Sequence, residues 1–445
     1  MALGGGRFTS QDKVLPGSYI NFVSASSANA GLSERGIATM PLLLDWGPEE
    51  TIFAVSSEEF EKDSPKFFGY AYKSSQLKAL RDLFLGARLL YAYRLNGGGK
   101  KAACSGVTAR YSGERGNAIR IVIRVNADNA SRFDVMTYLD TELVDEQTVS
   151  NTSELKENDF VVFGSEFTLE ATAGMALSGG TNGEVTGDSY QNYLDKAESY
   201  TFNTMGAAVT DNATKKLFAA FNKRLRDEMG IKFQLVLYDY PDADYMGIIS
   251  VKNKCIDGMV KEEEEIRYPE EASLVYWVTG AEAGCAVNKS CQNMIYDGEY
   301  TVDADYTQTD LVNIMKSGEF VLHKVNEEIR VLADINTMVT TTDTCGDIFK
   351  ENQTMRVIDQ LANDDAVLFN TKYLGVVPND ESGRVSLWSD LVKNRQKLQD
   401  IRAIKNFSDS DVVVEQGKDK KSVVVNGSVT IVNAMAQLYM TVTVS

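Results

Sequence analysis

The feature that most restricts how this chain can fold is a change of character in its first half. Two glycine-rich stretches, Asn96-Gly97-Gly98-Gly99-Lys100-Lys101 and Leu177-Ser178-Gly179-Gly180-Thr181-Asn182-Gly183, bracket the runs IRIVIRV, FDVMTYL, DFVVF and FTLEAT. These runs are short, β-prone and separated by polar turns, which predicts a β-sandwich over 97–180. On both sides strand-like and helix-like runs alternate instead, as they do in α/β domains. Residues 74–91 place Leu77, Leu80, Phe84 and Leu90 at near-helical spacing behind a serine and predict one amphipathic helix. Thr210 or Asp211 opens another, carrying Leu217, Phe218, Phe221 and Leu225 and stopped at Gly230, and IKFQLVLYD follows as a buried strand. EFVLHKV and EIRVLADI read as a hairpin joined at Asn326. The fold class expected is therefore multi-domain α/β with an all-β insertion, and 445 residues suit about three domains.

The two ends carry a different signal. Behind the glycines at 4–6, Pro16-Gly17 turns the chain into a β-prone stretch from Ser18 to Val23 that includes Tyr19, Ile20 and Phe22, with little nearby to cover it. Near the other end, TMRVIDQLANDDAVLFNTKYL and RVSLWSDLVKNRQKLQDI predict two helices, and SVVVNGSVTIV predicts a hairpin turning at Asn426-Gly427. The final YMTVTVS alternates Met440, Val442 and Val444 with Tyr439, Thr441 and Thr443, the pattern of a strand with one apolar face. Two terminal strands without obvious partners are open edges that a monomer would have to hide. Donated to another copy, they become strand addition, in which the backbone supplies strength and alternate side chains set register.

Signals for chemistry are sparse. His323 is the one imidazole, it lies in the strand-like EFVLHKV, and no GxSxG or comparable nucleophile pattern accompanies it. Cys104, Cys255, Cys285, Cys291 and Cys345 are scattered, without a CxxC pair, and read as reduced thiols rather than a metal set. Neither glycine-rich stretch fits a phosphate-binding motif. Asp257–Glu271 holds seven acidic residues against Lys261 and Arg267 and reads as a solvated face. These observations predict no cofactor, no metal and no catalytic set, leaving a hydrolase with a carboxylate pair assembled from distant segments as a rival reading. The net charge of −18 argues against nucleic acid as a partner. The last 108 residues hold 12 basic and 14 acidic side chains, leaving −16 on the first 337, so the near-neutral end is the one expected to meet partners. Nothing approaches a membrane-spanning run or a signal peptide, and synthesis in a cytoplasm is expected.

Several segments resemble the contractile-tail sheath family. KVLPGSYINFVSASSANAGLSERGIATMPLLLDWGP is similar to the N-terminal region of those proteins, and ARYSGERGNAIRIVI with FDVMTYLDTELVDEQTV to their inserted β-sandwich. LSGGTNGEVTGDSYQNYL and WVTGAEAGCAVNKSCQNMIYDG resemble the central domain; INTM, NQTMRVIDQL and AMAQLYMTVTV resemble the C-terminal domain, so the likeness runs through the chain in order. The resemblance implies an N-terminal arm over 1–25, a first part of a central α/β domain over 26–96, the sandwich, the main central domain over 181–337, and an assembly domain over 338–445. It implies a subtilisin-like topology without catalysis, because a fold name gives no activity. It further implies a subunit of hexameric rings, stacked helically around an inner tube, that contracts from a metastable extended state. Both arms would exchange strands with neighbours. The implied partners are further copies, a tail tube protein, and baseplate and tail terminator proteins, in a virion tail or a tailocin particle assembled in the bacterial host cytoplasm. Another tail component, tube or baseplate, is the alternative within the same class.

Overall fold

The structure is a computed structural model that describes residues 32–258, 260–262, 265–267 and 270–444. The chain divides into two units, one formed by residues 39–78 and 89–200 and the other by residues 32–38, 79–88 and 201–444. Strand β1 (Ile37–Leu42) begins in the second unit and enters the first at Thr39.

In the first unit β1 lies beside β3 (Leu89–Arg94), which pairs antiparallel with β2 (Ile52–Ser56) from Ile52↔Tyr93 to Ser56↔Leu89. Helix α1 (Ser57–Phe68) starts at the end of β2 because Ser56 and Glu59 cap each other's backbone N–H groups, and it ends at Gly69, whose φ of 76° most side chains avoid. The stretch expected as one helix over 74–91 is broken. A 3₁₀ turn (Ser75–Leu77) leads into α2 (Lys78–Phe84), and Leu90 belongs to β3. The cause lies in the other unit, which holds residues 79–88. There Gly86 passes so near Gly280 that a Cβ would stand 2.4 Å from the Gly280 carbonyl oxygen, a contact a continuing helix with an ordinary side chain could not make.

The insertion is a β-sandwich. β4 (Ala103–Cys104), β5 (Val107–Ala109) and β9 (Val161–Phe163) form one antiparallel sheet. β6 (Ile119–Val125), β7 (Phe133–Leu139), β8 (Glu142–Val149) and β10 (Thr172–Ala176) form the other, in the order β10-β6-β7-β8. Ile119, Ile121 and Ile123 point inward from β6 onto Val135, Leu139, Phe160, Val161 and Phe167, while Arg120 and Arg124 face solvent. Trp46 closes this core, with its indole N–H donating to the Lys66 carbonyl. Helix α3 (Gly187–Ala197) completes the unit and buries Tyr193, whose hydroxyl lies 3.0 Å from that of Thr39.

The second unit is built on four parallel strands, β11 (Thr204–Ala207), β12 (Gln234–Tyr238), β13 (Ile248–Val251) and β16 (Glu319–Phe320). Between β11 and β12 runs α4 (Asn212–Arg224), capped by Asp211, continued by a π turn (Leu225–Met229) and stopped at Gly230 with φ 75°, as the sequence predicts. β14 (Val260–Glu262) and β15 (Glu265–Arg267) pair with each other. Helix α5 (Leu274–Gly284) is buried along most of its length, and α6 (Gln308–Lys316) precedes β16. β17 (Leu322–Val325) and β18 (Glu328–Val331) form the expected hairpin with Asn326 at φ 57°. The C-terminal part holds both expected helices, α7 (Asn352–Leu368) and α8 (Glu381–Asp400), with four short strands: β19 (Ile404–Lys405), β20 (Val412–Gln416), β21 (Val423–Gly427) and β22 (Thr430–Ile431). β19 pairs with β22 and β20 with β21, both antiparallel.

Candidate assembly interface

Helix α7 organises the C-terminal part through charges that solvent does not reach. Arg356, 1% exposed, ion-pairs with Glu282 of α5 and reaches Asp334 at 2.6 Å; its third contact is the Lys289 carbonyl at 2.9 Å. One turn on, Asp359 receives two 2.7 Å hydrogen bonds from Arg226, which stands on the π turn after α4. Burial pushes the Asp334 carboxyl upward, but Arg356 overrides it and brings the group down to about 2. Burial, followed by Asp334, raises Glu282 well above its ordinary value of 4.5. Glu282, Cys291 and Asp334 bring three potential metal ligands within 4.8 Å of one another, yet the cation already seated among the carboxylates is the Arg356 guanidinium.

The same helix holds both ends of the described chain. Ser33 donates its hydroxyl to Asp364 at 2.6 Å, Gln360 donates to the Ser33 hydroxyl at 2.6 Å, and Leu32 packs against a cluster containing Val357. At the other end Gln353 and Thr354, in the first turn of α7, bind residues 432–434. α7 continues through a π turn (Phe369–Tyr373), where Lys372 and the Tyr373 hydroxyl (2.5 Å) bind Asp390 of α8, and Arg395 of α8 returns to Asp365 at 2.7 Å.

Beyond Ala434 the character reverses. Met435, Leu438, Tyr439, Met440, Val442 and Val444 expose between 68% and 103% of their surface, a density of bare apolar side chains rare on a soluble monomer. Residues 433–444 form no hydrogen-bonded strand among the described residues. The expected terminal strand of Tyr439, Met440, Thr441, Val442, Thr443 and Val444 thus has no strand partner among the described residues, since a strand is completed only by a neighbour. The N-terminal candidates Pro16, Gly17, Tyr19, Ile20 and Phe22 lie outside the described residues.

One expected site residue pair is corrected. Asn426 and Gly427 do not turn a hairpin; they are the last residues of β21, paired with Val413 and Val412 of β20. The chain reverses earlier, between Gln416 and Val423, and the residues after Gly427 leave to pair β22 with β19. The ladder partners of Asn426 and Gly427 come from upstream, so the local turn preference of the dipeptide is overridden by pairing. Val413, Val424 and Val425 remain exposed on this small sheet. Beside it, α8 and β20 enclose a groove of about 420 Å³ lined by Arg384, Val385, Trp388 and Val414.

His323 stands in β17 and burial lowers its pKa. All five cysteines are free thiols. No helix among the described residues is long and apolar enough to cross a membrane.

An α/β body, a β-sandwich insertion and a bare apolar C-terminal arm are the features to set against known proteins. Family models agree along the chain: the tail sheath protein Gp18 domain III N-terminal region matches residues 35–95, the phage tail sheath β-sandwich domain 96–182, the central domain 183–337 and the C-terminal domain 345–445. The phage-like element PBSX protein XkdK of Bacillus subtilis is 33% identical over the full length of both chains. The crystal structure of a sheath tail protein from Desulfitobacterium hafniense is 37% identical, with a TM-score of 0.77 over 93% of this chain and 96% of that one. The anti-feeding prophage helical sheath in its contracted state shares the fold alone, at 12% identity and a TM-score of 0.56 over 96% and 98% of the two chains. The chain belongs to the phage tail sheath family. It is a structural subunit of a tail sheath, a component of a virion tail or similar particle, and not an enzyme.

Proposed function

We propose that this subunit polymerises as hexameric rings, stacked helically around an inner tube, and contracts from a metastable extended state to drive that tube through a target envelope. The observation that carries this reading is the C-terminal arm, whose large apolar side chains from Met435 to Val444 are exposed among the described residues. In the proposed assembly, Tyr439 to Val444 add a strand to the C-terminal sheet of a neighbouring copy, and the N-terminal arm, residues 1–25 with Pro16, Gly17, Tyr19, Ile20 and Phe22, does the same. Such head-to-tail contacts do not close on themselves along the axis and generate a tube. The central domain, with β11, β12, β13 and β16 parallel, takes the subtilisin-like topology as a scaffold only. Tube, baseplate and tail terminator proteins are the other partners, and assembly takes place in the bacterial host cytoplasm.

Energetics favour several arms acting together. Burying each of the arm's large apolar side chains contributes about 1.5–3 kcal/mol. Fixing each arm residue costs roughly 1–2 kcal/mol of backbone entropy. One arm alone is near balance, so strand hydrogen bonds and contacts between the bodies decide the outcome, and growth is expected only from a nucleus. Removing residues 1–25, or 435–444, leaves a folded monomer that electron microscopy finds without sheath; striated tubes from either truncation would refute strand exchange.

A further inference from the structure

The arm leaves the body at one residue, and the side chain that holds it there is a glutamine. Val432 still belongs to the body: its N–H donates to the Ala403 carbonyl at 3.0 Å. Gln353 then reaches both sides of Asn433, with Nε2 donating to the Val432 carbonyl at 3.1 Å and Oε1 accepting from the Ala434 N–H at 2.9 Å. A carbonyl at one position and an N–H two residues later, bound by one donor–acceptor group, is what a neighbouring strand offers in a ladder. Thr354 adds a contact to the Asn433 side chain at 3.3 Å. One residue further, Met435 is fully exposed.

We propose that Gln353 is a positioning residue for the C-terminal arm: its amide imitates a strand partner across Asn433, fixes the direction in which the arm leaves, and passes load from the arm into the body. This rests on the strand-exchange reading above. The load path is short and stiff. Gln353 is buried in the first turn of α7; Asn352 beside it accepts from Gln234 of β12 at 2.9 Å and donates to the Ile335 carbonyl at 3.0 Å. Arg356 and Asp359, within the next two turns, carry the buried ion pairs to α5 and to the turn after α4. A pull on the arm therefore reaches the central body through two amide hydrogen bonds and one helix. Only an amide can serve, because glutamate lacks the donor and methionine lacks both groups at similar size.

The test uses the full chain carrying Gln353→Met, with Ala434→Pro as a second variant that removes the donor from the exposed side and leaves the body intact. In Gln353→Met monomers, hydrogen exchange at the Ala434 amide is expected to speed up about tenfold, with thermal unfolding of the body little changed. Both variants are expected to need about tenfold more protein to form sheath. Unchanged exchange at Ala434 in Gln353→Met overturns the proposal, as does normal assembly of either variant. A chain ending at Ala434 separates this from the broader reading. Normal tubes from that chain sink strand exchange itself, whereas no tubes there, combined with normal tubes from Gln353→Met, sink the glutamine anchor alone.

Discussion

Helix α7 and the C-terminal arm each reverse the usual placement of side chains, in opposite senses. On α7, Arg356, Asp359, Gln360 and Asp364 are inside; on the arm, Met435, Leu438, Tyr439 and Met440 are outside. A buried charge is tolerable only beside a partner, and each of those on α7 has one within the chain. A bare apolar stretch is equally anomalous, and it has no covering surface among the described residues. The two anomalies differ only in where the matching surface is found, and the first fixes the frame from which the second projects.

Breaking the frame should have the largest effect. Arg356→Met leaves Asp334 and Glu282 buried without their cation and is expected to cost about 3–5 kcal/mol, read as a lower denaturant midpoint. The same substitution at an exposed ion pair such as Lys62–Glu58 should change little. A loss below about 1 kcal/mol at Arg356 would mean that water enters the cluster and that the frame is softer than its burial implies.

The proton in that cluster gives a finer test, with a definite sign. Folding raises the pKa of Glu282 above its ordinary value of 4.5. Below that value both folded and unfolded chains hold the proton, and Glu282→Gln should match the wild type. As pH rises the unfolded chain ionises while the folded one keeps its proton, so the wild type loses stability and the glutamine variant does not. The two stability curves are expected to coincide near pH 4 and to part as pH rises, with Glu282→Gln the more stable. Asp334 runs the other way, since its pKa is lowered to about 2. Its contribution is present above pH 4 and fades as pH falls toward 2, in both proteins. A glutamine variant weaker at high pH would show that Glu282 ionises readily in the folded chain and that its charge beside Arg356 is stabilising.

Much of this organisation is legible in the sequence, and the exceptions have physical reasons. The sandwich shows in IRIVIRV and FDVMTYL because period-2 alternation survives wherever one sheet face is buried. The helix from Asn212 and its stop at Gly230 are set by local capping. The alternation of the arm is visible in YMTVTVS itself, where Met440, Val442 and Val444 alternate with Tyr439, Thr441 and Thr443. The helix expected over 74–91 fails at Gly86, where contact with Gly280, some 190 residues away, decides the path. Asn426-Gly427 fails for the same reason, its pairing being set by Val412 and Val413. The cluster around Arg356 is not legible in the sequence from its charges, because a charged residue in a helical run ordinarily marks the solvent face. A usable signal was present, since NQTMRVIDQLANDD places polar groups on every side of α7, which a helix lying on a core does not do.

The smallest expected effect tests the arm's side of the comparison, by exchanging near-isosteric side chains one position apart. If one face of the strand is covered by a neighbour, Val442 and Thr441 are not equivalent even though both are exposed in the single chain. Val442→Thr keeps the shape and the strand preference but places a hydroxyl against an apolar surface, at about 1 kcal/mol, which is roughly a fivefold rise in the protein needed for sheath formation. Thr441→Val adds a methyl on the opposite face and should leave that concentration within about twofold of wild type. Neither change should move the unfolding of the monomer, because both side chains are exposed. Equal effects would mean that both faces are covered, as in a strand placed between two sheets. A reversed order would mean that the strand pairs one residue out of the register proposed, since a shift of one turns every side chain to the other face.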